Sequence, residues 1–262
     1  MSTVGVLLAA GGASRFRTSA EKSGLSVAHK LTAPLRGETV FSRSLRNLLE
    51  ALPQSPITEV LVIQGAVDLS DLVDQVVGSR NLNLRILTNR DWALGQATSL
   101  ALAIDTITGT RTSPSEAALR EESQSFQDPS NGTYGASETS VDPGAKSLAK
   151  SSAGPLPKSL AKSLAGQTEA MVVGLGDQPF IPAQTWAAIA NAPAEQQIVV
   201  ATYGGLRRNP VRIARQLWEE IPRTGDEGAR PLLRSRAEFV HELPCIGDPA
   251  DIDTVEDLLR WS

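Results

Sequence analysis

The stretch Val4-Gly5-Val6-Leu7-Leu8-Ala9-Ala10-Gly11-Gly12-Ala13-Ser14-Arg15-Phe16-Arg17 decides the fold. Its first half is a short apolar run bounded by glycines, the pattern of a strand buried on both faces of a parallel sheet. The chain then turns through small residues only, Ala9 to Ser14, before bulk returns at Arg15. Small side chains let backbone N–H groups approach a ligand closely, and an anion is the natural ligand of such a turn. Arg15, and further on Lys30, add positive charge beyond it. The combination is a candidate triphosphate cradle; a tight strand-to-helix turn with no ligand is the plain alternative. It matches neither the glycine fingerprint of dinucleotide binders nor a Walker-type P-loop.

A chain of 262 residues can bury one sizeable α/β core or two small ones. With 41% hydrophobic and 21% charged residues it reads as globular and soluble. A net charge of -4 argues against general nucleic-acid binding, so any basic character is local. The single cysteine, Cys245, excludes an intrachain disulfide and a cysteine-rich zinc site, and a reducing cytoplasm fits. No apolar run approaches the roughly 18 residues of a membrane span, and the N-terminus lacks a signal-peptide layout. The expectation is a cytoplasmic protein with no membrane partner.

Outward from the opening stretch, Thr18–His29 is polar and mixed and reads as a loop. Phe41, Leu45, Leu48, Leu49 and Leu52 fall on one helical face, closed by Pro53 and Pro56. Glu59–Gln64 reads as a second buried strand, followed by a helix to Val77. Leu84–Leu87 is a third strand, and Asn89 through Ser99 leads into a helix through Leu100, Leu102 and Ile107. Strands alternating with helices in this way predict a parallel sheet with crossover connections.

Residues 109–168 break the pattern. They are rich in Ser, Ala, Gly, Pro and Thr, with Lys146-Ser-Leu-Ala-Lys150 recurring as Lys158-Ser-Leu-Ala-Lys162. So little apolar surface cannot offset the entropy of ordering the segment, so a disordered surface insertion is expected. A docking segment for a partner is the alternative. The domain is then one unit built from residues 1–108 and 169–262.

The fold resumes at Met171-Val172-Val173-Gly174-Leu175-Gly176-Asp177-Gln178-Pro179, which sets Asp177 at the C-terminal end of a strand. Ligands bind at that edge of parallel α/β sheets, and the candidate phosphate turn opens on the same edge. An acid beside a polyphosphate site reads as a Mg²⁺ ligand; a helix-capping Asp is the competing reading. Ile198–Thr202 is a further strand, Leu217, Trp218 and Ile221 mark a helix, and Gly225–Arg230 is a polar loop opening another. Phe239–Leu243 alternates like an edge strand. Asp253 or Thr254 caps a final helix. Asp251-Ile252-Asp253 matches an Asp-x-Asp metal motif in letters only, because it precedes a helix instead of following a strand. His29 and His241 read as bystanders.

These motifs, in this order and spread over nearly the whole chain outside the insertion, resemble the MobA-like nucleotidyltransferases. Within them the chain is most similar to the molybdenum cofactor cytidylyltransferases. The resemblance rests on Leu8-Ala9-Ala10-Gly11 with Ser14-Arg15, Lys30-Leu31, Asn89 through Ser99, and Gly176-Asp177-Gln178-Pro179. It continues through Asn209-Pro210-Val211, Gly225–Arg230 and Asp251-Ile252-Asp253-Thr254. The chain departs from it where Arg15, Phe16 and Arg17 follow Ser14 in place of Ser-x-Arg-Met-Gly, which loses the usual glycine, and where Asn209 replaces a common histidine.

The resemblance implies a three-layer α/β/α sandwich with a mostly parallel sheet, and a Mg²⁺-dependent transfer of a nucleoside monophosphate from an NTP to a phosphate. On that footing Leu8, Ala9, Ala10, Gly11 and Gly12 wrap the nucleotide, with Asn89 and Ser99 near its base and ribose. Arg15 and Lys30 neutralise phosphate charge, Asp177 holds the metal with Asp253 sharing it, and Asp226 and Arg230 line the acceptor pocket. Ala10 in Ala-Ala-Gly favours CTP over GTP. The acceptor implied is molybdenum-bearing molybdopterin, with a molybdoenzyme receiving the product. A guanylyltransferase, a sugar- or alcohol-phosphate nucleotidyltransferase, and a non-catalytic cofactor-binding accessory protein are the alternatives.

Overall fold

A computed structural model of the chain describes residues 2–24, 26–27, 29–110 and 168–262. The opening apolar run forms β1 (Ser2–Ala9), and it lies inside a seven-stranded sheet. The other members are β4 (Ile57–Gln64), β5 (Leu84–Thr88), β6 (Thr168–Leu175), β7 (Ile198–Tyr203), β8 (Leu206–Ala214) and β9 (Val240–Pro244). The order is β5-β4-β1-β6-β8-β7-β9, beside a small hairpin of β2 (Pro34–Leu35) and β3 (Glu38–Thr39). β1 pairs in parallel with β4 and β6, β4 with β5, and β7 with β9; β8 runs antiparallel to both β6 and β7. The sheet is therefore mostly parallel, as the sequence predicts, with β9 at one edge and β5 at the other.

Alternation along β1 sets the three layers. Leu7 and Ala9 face one side, where α2 (Val40–Ala51), α3 (Ser70–Val77) and α5 (Ala183–Ala190) close the core through Phe41, Leu45, Val73 and Trp186. Val6 and Leu8 face the other, against α4 (Gln96–Thr108), α6 (Arg230–Ser235) and the 3-10 segment Arg215–Glu220 through Leu100, Ile104, Leu232 and Trp218. Strand residues one apart point to opposite faces, so a strand apolar at every position needs cover on both.

The register fixes the site. Ala9 is opposite Gln64, Gln64 opposite Thr88, and Leu8 opposite Leu175. Four parallel strands thus end level, and the residues that follow them leave at one edge: Ala10-Gly11-Gly12, Gly65, Asn89 and Gly176-Asp177.

Two expectations need correction. Of the polar stretch Thr18–His29 read as a loop, Thr18–Ser23 belongs to a helix, α1 (Ser14–Ser23), whose buried residues are Phe16 and Ala20. Two inward residues are too few for a visible periodicity. Their partners come from far away in sequence: Leu35, Ile252, and Val255 and Leu258 of α7 (Val255–Trp261). The helix expected through Leu217 and Ile221 is the 3-10 segment Arg215–Glu220. Asn209, Pro210 and Val211 belong to strand β8, whose Arg212 is 1% exposed. Its guanidinium donates to the carbonyls of Ala192, Pro193 and Gln196, which is how a charge sits inside a strand. The expected disordered insertion at 109–168 falls almost wholly on residues 111–167, outside those described. Among the described residues no helix is long and apolar enough to cross a membrane.

Candidate active site

The carbonyls of the turn after β1 are taken up by the protein itself. The carbonyl oxygens of Leu8, Ala10, Gly11, Gly12 and Ala13 each accept a hydrogen bond. Their donors are Gly176 N–H (2.8 Å), Ala66 N–H (3.1 Å), His29 Nε2 (2.9 Å), Arg17 Nη2 (2.7 Å) and Arg17 N–H (2.9 Å) respectively. No acceptor among the described residues takes the N–H of Gly11 or Gly12. Ala13 stands at φ 53° as the N-cap of α1, and no side chain caps that helix. Free backbone N–H groups at a loop that opens a helix form a cradle for an anion. The glycine at 12 is required for another reason too. A Cβ there would lie 2.7 Å from the Trp92 ring, so Trp92 packs directly on the turn.

Beside the cradle sits a compact charge cluster. Lys30 begins a 3-10 turn (Lys30–Thr32), and its Nζ lies 2.6 Å from Asp177 Oδ2 and 2.6 Å from Asp253 Oδ1. Arg15 Nη1 is 2.9 Å from Asp253 Oδ2. Burial pulls the Lys30 ammonium down, but the charges and hydrogen bonds of Asp177 and Asp253 outweigh it and hold it above its usual range.

Asp253 is brought to Asp177 by backbone: Ile252 N–H donates to the Asp177 carbonyl at 3.0 Å. Asp257 Oδ2 accepts the N–H groups of Asp253 and Thr254, and Thr254 caps α7 in a capping box. The cap expected at Asp253 or Thr254 is therefore Thr254, which frees the Asp253 carboxylate for the cleft.

Cradle and cluster line one open cleft of about 420 Å³, together with Leu8, Trp92, Gln96, Ser99, Asp226 and Asp251. Of the residues singled out in the sequence, Leu8, Ala10, Gly11, Gly12, Arg15, Lys30, Ser99, Asp177, Asp226 and Asp253 border it, and Ala9 borders the contiguous cavity of about 150 Å³. Asn89 does not. It is 3% exposed, its Nδ2 donates to Thr98 Oγ1 (2.8 Å) and Ser99 Oγ (2.9 Å), and its Oδ1 accepts Asp91 N–H. Asn89 braces the start of α4 against the turn that precedes it. Arg230 lies in a neighbouring small cavity with Asn209 and Glu227, joined to the cleft through Leu8, Gln96 and Leu175.

Four residues of the site escape a linear reading. Trp92 reaches the cleft from the turn before α4 and Gln96 from the first turn of α4, and the 225 loop clasps both: Ala97 N–H donates to the Gly225 carbonyl (2.9 Å) and Gly225 N–H to that of Leu94 (3.2 Å). Asp251 borders the cleft as well, so the Asp-x-Asp triplet does place both carboxylates there. Gln178 holds it, donating to Asp251 Oδ1 at 2.8 Å. Burial and the Asp177 charge push the Asp251 carboxyl above its usual range. The fourth is His29, 7% exposed and bonded to the cradle, not a bystander.

A divalent cation suits this donor set. Two carboxylates already converge on one cation, the Lys30 ammonium. Among the described residues no group of three or more His, Cys, Asp or Glu could hold a metal. Two carboxylates completed by substrate phosphates is the usual arrangement for Mg²⁺.

A family model for the MobA-like NTP transferase domain matches residues 5–240. No curated protein matches the chain. Among solved structures, a nucleotidyl transferase from Methanothermobacter thermautotroptrophicus superposes with TM-score 0.62 at 18% identity, covering 99% of this chain and 95% of that one. The manganese complex of Rv0371c from Mycobacterium tuberculosis gives TM-score 0.57 at 19% identity, covering 100% and 98%. The inositol-1-phosphate CTP transferase from T. maritima gives 0.53 at 13%, covering 98% and 91%. At these identities the likeness concerns the fold.

Proposed function

The chain belongs to the MobA-like NTP transferase family and is a nucleotidyltransferase; on that premise we propose that it transfers CMP from CTP to molybdenum-bearing molybdopterin, releasing pyrophosphate. The observation that carries this reading is the meeting of Lys30, Asp177 and Asp253 at 2.6 Å beside a turn with free N–H groups. CTP is supported by Ala10 in the Ala-Ala-Gly opening, in which the resembling cytidylyltransferases differ from the guanylyltransferases. It is supported too by the T. maritima structure, whose name pairs CTP with a phosphorylated acceptor.

In this mechanism the N–H groups of Gly11 and Gly12 and the uncapped first turn of α1 hold the triphosphate. An oxygen of the acceptor phosphate attacks the α-phosphorus, and the bond to the departing pyrophosphate breaks. No proton need be removed from a phosphate nucleophile, so no general base is required. Lys30 and Arg15 turn from the carboxylates to the phosphate oxygens, where their charge offsets that of the leaving group. Asp177 and Asp253 would hold Mg²⁺, which when bound neutralises phosphate charge. Trp92, Gln96 and Ser99 wall the nucleotide side of the cleft and Asp226 the acceptor side, with Arg230 in the small cavity next to it. The energetic work is positioning and charge complementarity in a half-buried site.

Mass spectrometry of a reaction containing CTP, Mg²⁺ and molybdenum-loaded molybdopterin tests the proposal. Molybdopterin cytosine dinucleotide is the expected product. Its absence, with the guanine form made from GTP, would move the chain to the guanylyl branch.

A further inference from the structure

We propose that His29 is a positioning residue that locks the peptide plane of the phosphate cradle and ties it to Lys30. The inference rests on the reading of the cradle and Lys30 as the triphosphate-binding pair.

Both ring nitrogens of His29 are spent on backbone. Nδ1 accepts the N–H of Leu31 at 3.2 Å. A backbone N–H can only donate, so Nδ1 is bare and the proton sits on Nε2. Nε2–H therefore donates to the Gly11 carbonyl at 2.9 Å. The Gly11 C=O and the Gly12 N–H share one planar peptide and point in opposite directions. Holding that carbonyl thus aims the Gly12 N–H away from His29. A peptide between two glycines is the one most free to flip, because neither side carries a Cβ that resists it. A flip would present a carbonyl oxygen to the triphosphate where a donor is needed.

The same ring fixes the lysine. Lys30 lies between His29 and Leu31, and the 3-10 turn that carries it starts with the His29 side chain as its N-cap. Thr32 closes the turn, donating from its N–H (3.1 Å) and its Oγ1 (3.0 Å) to the His29 carbonyl. One imidazole therefore spans the cradle and the cation that completes it.

The arrangement needs a neutral ring, and its surroundings keep it so. Burial holds the His29 pKa below its ordinary 6.5, the bond to Gly11 pulls it up, and the Lys30 and Arg17 charges lower it against Asp177. Glu21 of α1 lines the cavity on the same side. Protonation would replace the Nδ1 lone pair with a second donor facing the Leu31 N–H, and the turn would lose its cap.

The test uses the full chain with His29→Asn, His29→Ala and wild type. Asn keeps an acceptor for the Leu31 N–H two residues on, as Asx turns do, but is too short to reach Gly11. Affinity for CTP with Mg²⁺, by calorimetry at pH 7.5, is expected to fall about tenfold in both variants. The wild-type affinity is expected to decline below pH 6.5 with a limb that His29→Asn lacks. Variants that bind CTP as wild type does, with the same pH profile, overturn the inference alone. Wild type that binds no nucleoside triphosphate overturns the reading of the cleft and the inference with it. If neither variant folds, the ring nitrogens of wild type decide by NMR: a bare Nδ1 and protonated Nε2 near pH 7.5 support the lock, and the other tautomer or an imidazolium refutes it.

Discussion

Replacing Lys30 with Met should do two opposite things at once. The ammonium is shared between Asp177 and Asp253 at 2.6 Å each, with the three side chains 12%, 18% and 24% exposed. A fully exposed ion pair contributes up to ~1 kcal/mol, and these are less exposed than that, so two pairs together contribute about 2 kcal/mol. A metal ion that takes the carboxylates must displace that lysine. Without it, Mn²⁺ binding in the absence of nucleotide should tighten by roughly thirtyfold. Turnover should meanwhile fall by about 10²–10³, the usual cost of losing one charge-stabilising donor. Free Mn²⁺ followed by electron paramagnetic resonance gives the affinity, and pyrophosphate release gives the rate. Unchanged or weaker Mn²⁺ binding by Lys30→Met would refute the shared-cation geometry, whatever happened to turnover.

Other outcomes follow from the same contacts. Asp177→Asn should reduce transfer by at least about 10² while the melting temperature moves by only a few degrees; wild-type Mg²⁺-dependent turnover would remove Asp177 from the metal site. Gly12→Ala puts a Cβ 2.7 Å from Trp92 Cζ3 and 2.9 Å from Cη2. It should displace that ring and weaken CTP binding about tenfold, visible together as a tryptophan fluorescence shift and a calorimetric loss; if neither moves, the packing is wrong. The pH dependence of stability follows from two shifts. The His29 pKa is lowered from 6.5, so its contribution is full above that value and is lost as pH falls through the folded pKa. The Lys30 pKa is raised from 10.5, so its contribution is full below that value and is lost as pH rises through the folded pKa. Thermal melts should be flattest between these limits, and His29→Asn should lose the acidic decline; parallel curves for the two proteins would contradict this.

The sheet was legible because β1, β4 and β6 need no partner to be recognised: each carries an apolar run, and a glycine or alanine follows close behind it. The edge on which Gly11 and Asp177 meet follows from two strands being parallel neighbours, and Leu8 opposite Leu175 bears it out. The helix α1 was hidden because its apolar surface is completed by Ile252, Val255 and Leu258, more than 200 residues away. The roles of Asn89 and Asp251 were hidden for a related reason. An Asn at a strand end can face a ligand or brace a loop with the same letters, and only the positions of Thr98 and Ser99 decide it. Asp251 looked like part of a helix approach until Gln178 and the Asp177 carbonyl folded that segment across the cleft. His29 carried no signal at all, because its partners are backbone atoms.

The most direct measurement is pyrophosphate release with Mg²⁺, each of the four nucleoside triphosphates in turn, and molybdenum-loaded molybdopterin. Release with CTP alone is the predicted result. No release with any of the four, in a protein that binds CTP, would contradict the transfer to this acceptor.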